Sequence, residues 1–344
     1  MSIPILTRLY FLLQRILSSI YNMSINTHQH RRRKNTRNTR SARNTRNTRS
    51  ARNTRSARNP RNTRKNTLKP LKCSPKHKAE VLGYTCYTSE SLHKLKKIWN
   101  ARHPDVLVVG NNPRKIWEQL RKNMASSCHS EACWLRHQCI KQDIDENLWL
   151  DTFAPQAPQE WKENPNTWLS SIEIEQVMQQ YEKKYKCFEF IGPSPIDYDK
   201  HLLFGECVWE ELCTFSLLDM KKRGKSKVGI IFNLDPHYKE GSHWVALFLD
   251  LKKKLICYMD SYGDKMPRKI QKFTNMVKKQ GARMDEIYKV EIVKRRHQYS
   301  ESECGMYSLY FIIQLVKGYS MAHFQHQRIT DKHMLSLRKI YFNN

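Results

Sequence analysis

Four residues in the C-terminal third of the chain have side chains that together support acyl transfer, and they occur in the order His243, Asp260, Gln298 and Cys304. In such chemistry a thiolate attacks a carbonyl carbon, an imidazole carries the proton and a carboxylate orients the imidazole. A side-chain amide and a backbone N–H then stabilise the oxyanion. Each residue type is also common in structural positions, so the hypothesis depends on the elements that would bring the four together.

A β-hairpin is the element that would bring His243 and Asp260 together. The segment GSHWVALFLDLKKKLICYMDSYG predicts two strands that turn through the lysines at 252–254. Cross-strand partners have Cβ atoms ~5 Å apart, and this register places His243 beside Asp260 or its neighbour at the open end of the hairpin. The competing carboxylate, Asp250, lies at the turn end, about 23 Å from His243 at ~3.3 Å per residue. The register therefore selects Asp260.

Cys304 lies where a polar loop ends and an apolar helix begins, in the segment HQYSESECGMYSLYF. A helix N-terminus favours the thiolate form of a cysteine, and Gly305 leaves room for a substrate carbonyl. The amide of Gln298 and the backbone N–H of Cys304 are candidate oxyanion donors. His237 and His297 lack comparable partners in the sequence. The alternative is that Cys304 is a small buried hydrophobe, the first core residue of its helix.

The remaining pattern predicts strands and helices that differ between the two halves of the chain. Strands are expected in CFEFIG, KVGIIFNLD, WVALFLDL, KLICYMD and YKVEIVK, preceded by the helix SSIEIEQVMQQYEKKYK. Upstream, residues 80–160 predict a small helical region, in which Asn112 is a helix N-cap and Pro113 the first helical residue. A connector rich in proline and tryptophan separates this region from residues 161–344, so we place a domain boundary there.

The positive charge of the chain lies in its N-terminal tail. The formal net charge is +29, yet no Asp or Glu precedes Glu80 and 21 Lys or Arg lie before it, which leaves only +8 for residues 80–344. Arginine recurs at every third residue from Arg37 to Arg64 in NTR and SAR triplets. We expect residues 23–79 to be disordered, with residues 31–66 contacting nucleic acid through counterion release. The alternative is a solvated repeat without a partner.

Residues 1–22 place apolar side chains on one face of a predicted helix. The apolar run is interrupted by Gln14 and Arg15 and is too short to span a bilayer. Contact with a membrane surface is one interpretation. An organellar-type presequence is another, and the alternative to both is a segment that packs on a partner or is dispensable.

The ten cysteines form no CxxC pairs, which favours reduced thiols in a cytosol-like compartment. One cluster, CHSEACWLRHQC, contains Cys128, His129, Cys133, His137 and Cys139. Its spacing does not match the usual zinc frames, so we predict buried thiols beside a packed Trp134 and no metal. No glycine-rich phosphate loop or dinucleotide fingerprint is present, and no cofactor is expected.

The strings SHWVALFLD, YMDSYG and QYSESECGMYSLYF resemble the cysteine proteases of the adenovirus-protease and SUMO-deconjugating superfamily. CHSEACWL, NPNTWLSSIEIEQVMQQYEKKY and FEFIGPSPIDYD narrow the resemblance to thiol proteases of large DNA viruses, iridovirus-type in particular. The similarity covers roughly residues 80–340. It implies an α+β fold, with a papain-like, adenovirus-protease-like core built on a central mixed sheet and a catalytic helix.

The resemblance also implies roles for individual residues. His243 would be the general base, Asp260 its orienting carboxylate, Gln298 the oxyanion donor and Cys304 the nucleophile. Trp168 matches a position that lines the substrate groove in relatives, and Trp244 would shield the site, although core packing is its default role. Together with Gly305, these two tryptophans are the predicted substrate-binding residues.

The implied substrates are viral structural polyproteins or precursors, cut near Gly-Gly-X sites in the host cytoplasm and the virion. One alternative is a protease that removes ubiquitin-like modifiers. Another is a nucleic-acid-binding virion protein that uses the protease fold only as a scaffold. The sequence leaves the oligomeric state open.

Overall fold

The computed structural model describes residues 72–75, 82–137 and 146–343, all within one compact unit. The predicted segment 1–22 and the arginine repeat at 31–66 lie outside the described residues, as does Cys139. Within the described part of the chain, no helix is both long and apolar enough to cross a bilayer.

A five-stranded mixed sheet forms the centre of the fold. Its strands, in spatial as well as chain order, are β1 Phe188–Pro195, β2 Lys227–Asn233, β3 Trp244–Asp250, β4 Leu255–Met259 and β5 Lys289–Val293. The outer pairs β1–β2 and β4–β5 are parallel, whereas β3 is antiparallel to both of its neighbours. The predicted α+β class and central mixed sheet are confirmed.

Helices cover both faces of this sheet. The described helices are α1 Ser89–Arg102, α2 Pro113–Asn123, α3 Glu131–Trp134, α4 Glu146–Thr152, α5 Ser171–Lys184, α6 Glu210–Cys213, α7 Leu217–Lys222, α8 Arg268–Ala282, α9 Cys304–Val316, α10 Ala322–His326 and α11 Asp331–Tyr341. Successive side chains of a strand point to opposite faces, so β3 contributes to two cores. Ala246 and Phe248 pack with α5, α9 and α11, whereas Val245 and Leu247 pack with α8.

The helix that begins at Cys304 is buried along its whole length, as expected for a helix that is apolar on all sides. It lies against the centre of the sheet, where Gly229 allows close approach: a Cβ at that position would lie 2.7 Å from Cγ2 of Ile312. Gly318, with φ +100°, follows its C-terminus. The first residue of α9 is therefore held firmly by the packing of the helix.

The upstream helices α1 to α4 surround a third cluster of buried side chains, centred on Tyr87, Trp134 and Phe153. Asn112 caps α2 by accepting hydrogen bonds from the backbone N–H groups of Arg114 and Lys115, and Pro113 is the first helical residue, both as predicted. This region is tied to the rest of the chain at Gln180 of α5, whose amide donates to the carbonyls of Leu150 and Phe153. The boundary near residue 160 stays a prediction.

The expectation of reduced thiols throughout is wrong. Six cysteines form the disulfides Cys73–Cys86, Cys128–Cys133 and Cys207–Cys213, while Cys187, Cys257 and Cys304 are free. Their Cα–Cα distances are 5.1, 5.5 and 6.3 Å, within the range that a disulfide spans. The predicted burial of Trp134 beside one of these pairs is confirmed.

Candidate active site

The β3–β4 hairpin has the register that the sequence predicts. Ala246 pairs with Met259 and Asp250 with Leu255. Continued past the ends of the strands, this register sets Tyr262 opposite His243 and Asp260 on the neighbouring diagonal, within reach of a long side chain. Nε2 of His243 lies 2.8 Å from Oδ1 of Asp260. The two polar residues therefore meet at the open end of the hairpin.

Asp260 holds the imidazole in one orientation. Its side chain is only 2% exposed, and Oδ1 also accepts a hydrogen bond of 2.8 Å from the backbone N–H of Tyr262. Since a carboxylate accepts, Nε2 of His243 donates, and Nδ1 remains for a second partner. The side chain of Cys304, at the start of α9, lies close enough to the same ring to raise its pKa.

The surroundings of His243 favour its charged form. Burial by itself lowers the pKa of this imidazole, but the hydrogen bond to Asp260 and the electrostatic interactions with Asp260 and Cys304 outweigh it and raise the pKa to about 9. Cys304 is the first residue of α9, where the helix dipole stabilises a negative charge. At neutral pH this geometry favours the imidazolium form of His243.

Tyr262 is a residue that the sequence analysis missed. Its ring stacks on that of His243, with centroids 4.8 Å apart and planes inclined by 20°. Its hydroxyl lies 3.3 Å from Nε2 of Gln298. Tyr262 thus connects the imidazole to the predicted oxyanion donor, and its place two residues after Asp260 in YMDSYG was the available signal.

Gln298 is fully buried with a fixed amide orientation. Its backbone N–H donates to the carbonyl of Ser261, and its Oε1 accepts from the hydroxyl of Ser261 at 2.6 Å. Nε2 donates to the carbonyl of Ser300 at 2.7 Å and to the hydroxyl of Tyr262. In the described structure, no hydrogen bond joins Gln298 to Cys304, so its role as oxyanion donor stays a prediction.

A buried ion pair holds the residue that precedes the cysteine. The Arg338 guanidinium from α11 donates to both carboxylate oxygens of Glu303, at 3.0 and 2.9 Å, and to the carbonyl of Thr167 at 2.7 Å. Both side chains are almost inaccessible, at 4% and 1% exposure. Arg338 therefore bonds both to the residue before α9 and to the loop before α5. These contacts fix the position of Cys304.

The three predicted substrate-binding residues lie around Leu169. Trp168 is 43% exposed, whereas Trp244 is buried and its indole N–H donates to the carbonyl of Leu169 at 3.0 Å. A Cβ at Gly305 would lie 3.0 Å from Cβ of Leu169. Gly305 and Trp244 therefore have packing reasons for their residue types, and contact with substrate stays a prediction for all three.

The expectation that neither His237 nor His297 has a comparable partner is wrong for His237. His237 does have a carboxylate partner: its Nδ1 lies 2.7 Å from Oδ2 of Asp197, a residue too distant in sequence for a local pattern to reveal. His297 is buried, and its Nδ1 accepts the backbone N–H of Ile329. Burial and the nearby positive charges lower the pKa of His297 to about 4, so it stays neutral and structural.

Comparison with known proteins agrees with this geometry. Residues 222–344 match the Ulp1 protease family, C-terminal catalytic domain. A putative thiol protease of Acanthamoeba polyphaga mimivirus is 29% identical over 270 residues, covering 76% of this chain and 85% of the relative. A SUMO-1 cysteine protease of African swine fever virus is 29% identical over 244 residues, covering 67% and 88%.

The fold is also that of a solved viral protease. The crystal structure of the African swine fever virus protease superposes with a TM-score of 0.59 at 23% identity, covering 80% of this chain and 97% of that one. The resemblance stated from the sequence is confirmed. The chain is a cysteine protease similar to viral thiol proteases, and its residues 222–344 match the C-terminal catalytic domain of the Ulp1 protease family.

Proposed function

We propose that this chain is a viral processing endopeptidase that cuts virion structural precursors near Gly-Gly-X sites, in the host cytoplasm and in the virion. Cys304 is the nucleophile, His243 the general base and acid, Asp260 the orienting carboxylate and Gln298 an oxyanion donor. One observation carries the proposal: the His243 ring lies 2.8 Å from the Asp260 carboxylate and close enough to Cys304, the first residue of α9, for that side chain to raise its pKa.

The first half of the reaction is acylation. The Cys304 thiolate attacks the scissile carbonyl carbon, and the carbonyl electrons move to oxygen. The backbone N–H of Cys304, in the first turn of α9, has no intrahelical acceptor and supports the oxyanion. Gln298 adds a donor when its weaker bond, the 3.3 Å contact with Tyr262, gives way to the oxyanion. His243 then gives its proton to the leaving amine as the C–N bond breaks.

The second half is hydrolysis of the thioester. Neutral His243 takes a proton from water, and the resulting hydroxide attacks the acyl carbon. The second tetrahedral intermediate collapses with release of the carboxylic acid product, which restores the thiolate and the imidazolium. Asp260 keeps one imidazole orientation through both steps because its carboxylate is itself held by the Tyr262 N–H.

The burial of the nucleophile supports a preference for small substrate residues. Cys304 is 1% exposed, and Leu169 packs against the adjacent Gly305. A substrate chain must therefore be slim where it reaches the sulfur, a requirement that glycines on the acyl side of the scissile bond meet. The half-exposed Trp168 next to Leu169 is suited to cover such an extended segment.

The second candidate is removal of ubiquitin-like modifiers. The relative from African swine fever virus is named a SUMO-1 cysteine protease, and modifiers of this kind end in Gly-Gly. To separate the two, purified protein is assayed against virion precursors and against SUMO and ubiquitin fusions, with Cys304→Ser as control. The main proposal predicts faster precursor cleavage; a preference for the host fusions would establish the second candidate instead.

Nucleic-acid binding by residues 31–66 is a separate proposal, supported by the arginine at every third position. Deleting this repeat should weaken binding to DNA or RNA and flatten its salt dependence, while peptide hydrolysis persists. Unchanged affinity in the deletion variant would show that the repeat has no part in nucleic-acid binding.

A further inference from the structure

Three metal-ligating side chains converge on the surface segment after β1, and none belongs to the candidate active site. His201, Cys207 and Cys213 recur at intervals of six residues, and one ligand atom of each lies within 4.8 Å of the others. Within the described residues, this is the one group of three or more such side chains that could hold a metal ion. We call it the His201 cluster.

The local backbone sets up the His201 cluster. An isolated antiparallel bridge pairs His201 with Cys207, and the backbone N–H of Leu202 donates to the carbonyl of Glu206 at 2.7 Å. Gly205, with φ +83°, makes the tight turn between them, a backbone conformation that favours glycine. Cys213 follows from the end of α6. The three side chains meet because of this turn rather than because of long-range packing.

The hydrogen bond of the His201 ring selects its ligating nitrogen. Nδ1 lies 2.9 Å from the carbonyl oxygen of Gly205, and a carbonyl only accepts, so Nδ1 is the protonated nitrogen. Nε2 then carries the lone pair, and the sulfur of Cys207 lies 4.0 Å from Nε2 and 3.9 Å from Nδ1. A ligating histidine almost always donates its other N–H in this way. The nitrogen–sulfur distance is close to the ~3.5 Å edge of a tetrahedral zinc site, given the usual metal–ligand lengths.

We propose that the reduced chain binds one Zn²⁺ through the thiolates of Cys207 and Cys213 and Nε2 of His201, with water as the fourth ligand. Two thiolates and an imidazole are a ligand set that suits zinc. Bound metal would clamp the base of the turn that carries Leu203 and Phe204, whose side chains are 99% and 92% exposed. The site is independent of peptide hydrolysis.

The disulfide and the zinc site are alternative states of the same two sulfurs. In the structure Cys207 and Cys213 are bonded to each other. A dithiol reductant supplies two electrons and two protons, breaks that bond and is itself oxidised to a disulfide. Zinc binding then displaces the two thiol protons to solvent as two sulfur–metal bonds form.

Cobalt(II) titration of the full chain tests the proposal. The parent carries Cys304→Ala, so that the active-site thiol and His243 cannot bind the probe together. It is reduced with a dithiol, desalted without oxygen and titrated with Co²⁺, which zinc should then displace. We expect thiolate-to-cobalt charge-transfer absorption in the parent, and loss of one equivalent of bound cobalt in Cys207→Ser and in Cys213→Ser.

Two further variants complete the experiment. Cys187→Ser, a free cysteine elsewhere, should bind as the parent does. His201→Gln changes an exposed side chain, so it should fold and yet bind cobalt more weakly, which keeps the test decisive if a cysteine variant fails to fold. Equal cobalt binding in the parent and the His201→Gln variant would overturn the proposal. So would a Cys207–Cys213 disulfide that stays intact under the dithiol.

Discussion

His237 and His243 are six residues apart and each has an aspartate partner. Only the His243 pair has the surroundings that catalysis needs. The distances are nearly equal, 2.8 Å for His243–Asp260 and 2.7 Å for His237–Asp197. The first pair is buried, with side-chain exposures of 11% and 2%, whereas the second is open to water, with 32% and 14%. The ring of His237 faces Tyr238 edge-on, while the ring of His243 lies close enough to Cys304 for that side chain to raise its pKa.

The difference shows that a carboxylate beside an imidazole is not enough to make a histidine suitable for catalysis. In water such a pair is screened and contributes little, whereas burial makes the charges of Asp260 and Cys304 act strongly on His243. The cysteine itself is in place because Glu303 and Arg338 hold the start of α9. The two pairs therefore serve as matched test and control.

The largest effect should come from removing each imidazole in turn. His243→Ala loses the general acid and base and should lower kcat/KM by about 10²- to 10⁴-fold, while His237→Ala should leave it unchanged. Hydrolysis of a Gly-Gly peptide substrate measures both. Equal losses in the two variants would mean that the two pairs do not differ in function.

Breaking the ion pair behind the cysteine should have the next largest effect. Arg338→Met leaves the Glu303 carboxylate buried without its partner, which typically costs about 3–5 kcal/mol of folding free energy. Urea unfolding measures the loss. The double variant Glu303→Gln with Arg338→Met should recover much of it; no recovery would show that Arg338 acts through other contacts.

The oxyanion role assigned to Gln298 predicts a loss in kcat rather than in KM. Gln298→Ala removes one donor and should lower kcat by about 10²- to 10³-fold, since that interaction forms only in the transition state. The exposed Gln327→Ala serves as control, and circular dichroism checks the fold. A change confined to KM would contradict the assignment.

The smallest expected effect is a shift in the pH dependence of kcat/KM when either carboxylate, Asp260 or Asp197, is replaced. The His243 pKa is raised to about 9, and the leaving amine needs the protonated ring, so kcat/KM should fall as pH rises through about 9. Asp260→Asn removes the carboxylate charge, lowers that pKa and moves the alkaline limb to lower pH. At a pH above the His243 pKa of both proteins, each unit by which the substitution lowers that pKa reduces the protonated fraction of His243 about tenfold.

Asp197→Asn is the control for the pH test, because that carboxylate serves the solvent-exposed pair. In the Asp197→Asn variant, kcat/KM should fall over the same alkaline pH range as in the parent protein. An alkaline limb that stays near 9 in Asp260→Asn would show that another group titrates there, and that His243 does not depend on Asp260 for its charge.

The sequence predicted the parts of the site that depend on short-range pattern. Strand alternation and a lysine turn were enough to pair His243 with Asp260, and the polar-to-apolar change placed Cys304 at a helix start. Tyr262 lies in the same quoted segment, but its stacking depends on how the chain turns after β4. Arg338 and Asp197 could not be found, because their partners Glu303 and His237 are distant in sequence and meet only through packing.

Labelling by a peptide electrophile that ends in Gly-Gly, with the modified cysteine mapped by mass spectrometry, tests directly whether His243 activates Cys304. We predict modification at Cys304, slowed in His243→Ala and unaffected in His237→Ala. Labelling of Cys187 or Cys257 in preference to Cys304, or equal rates in the two histidine variants, would contradict the claim that His243 activates Cys304 as the nucleophile.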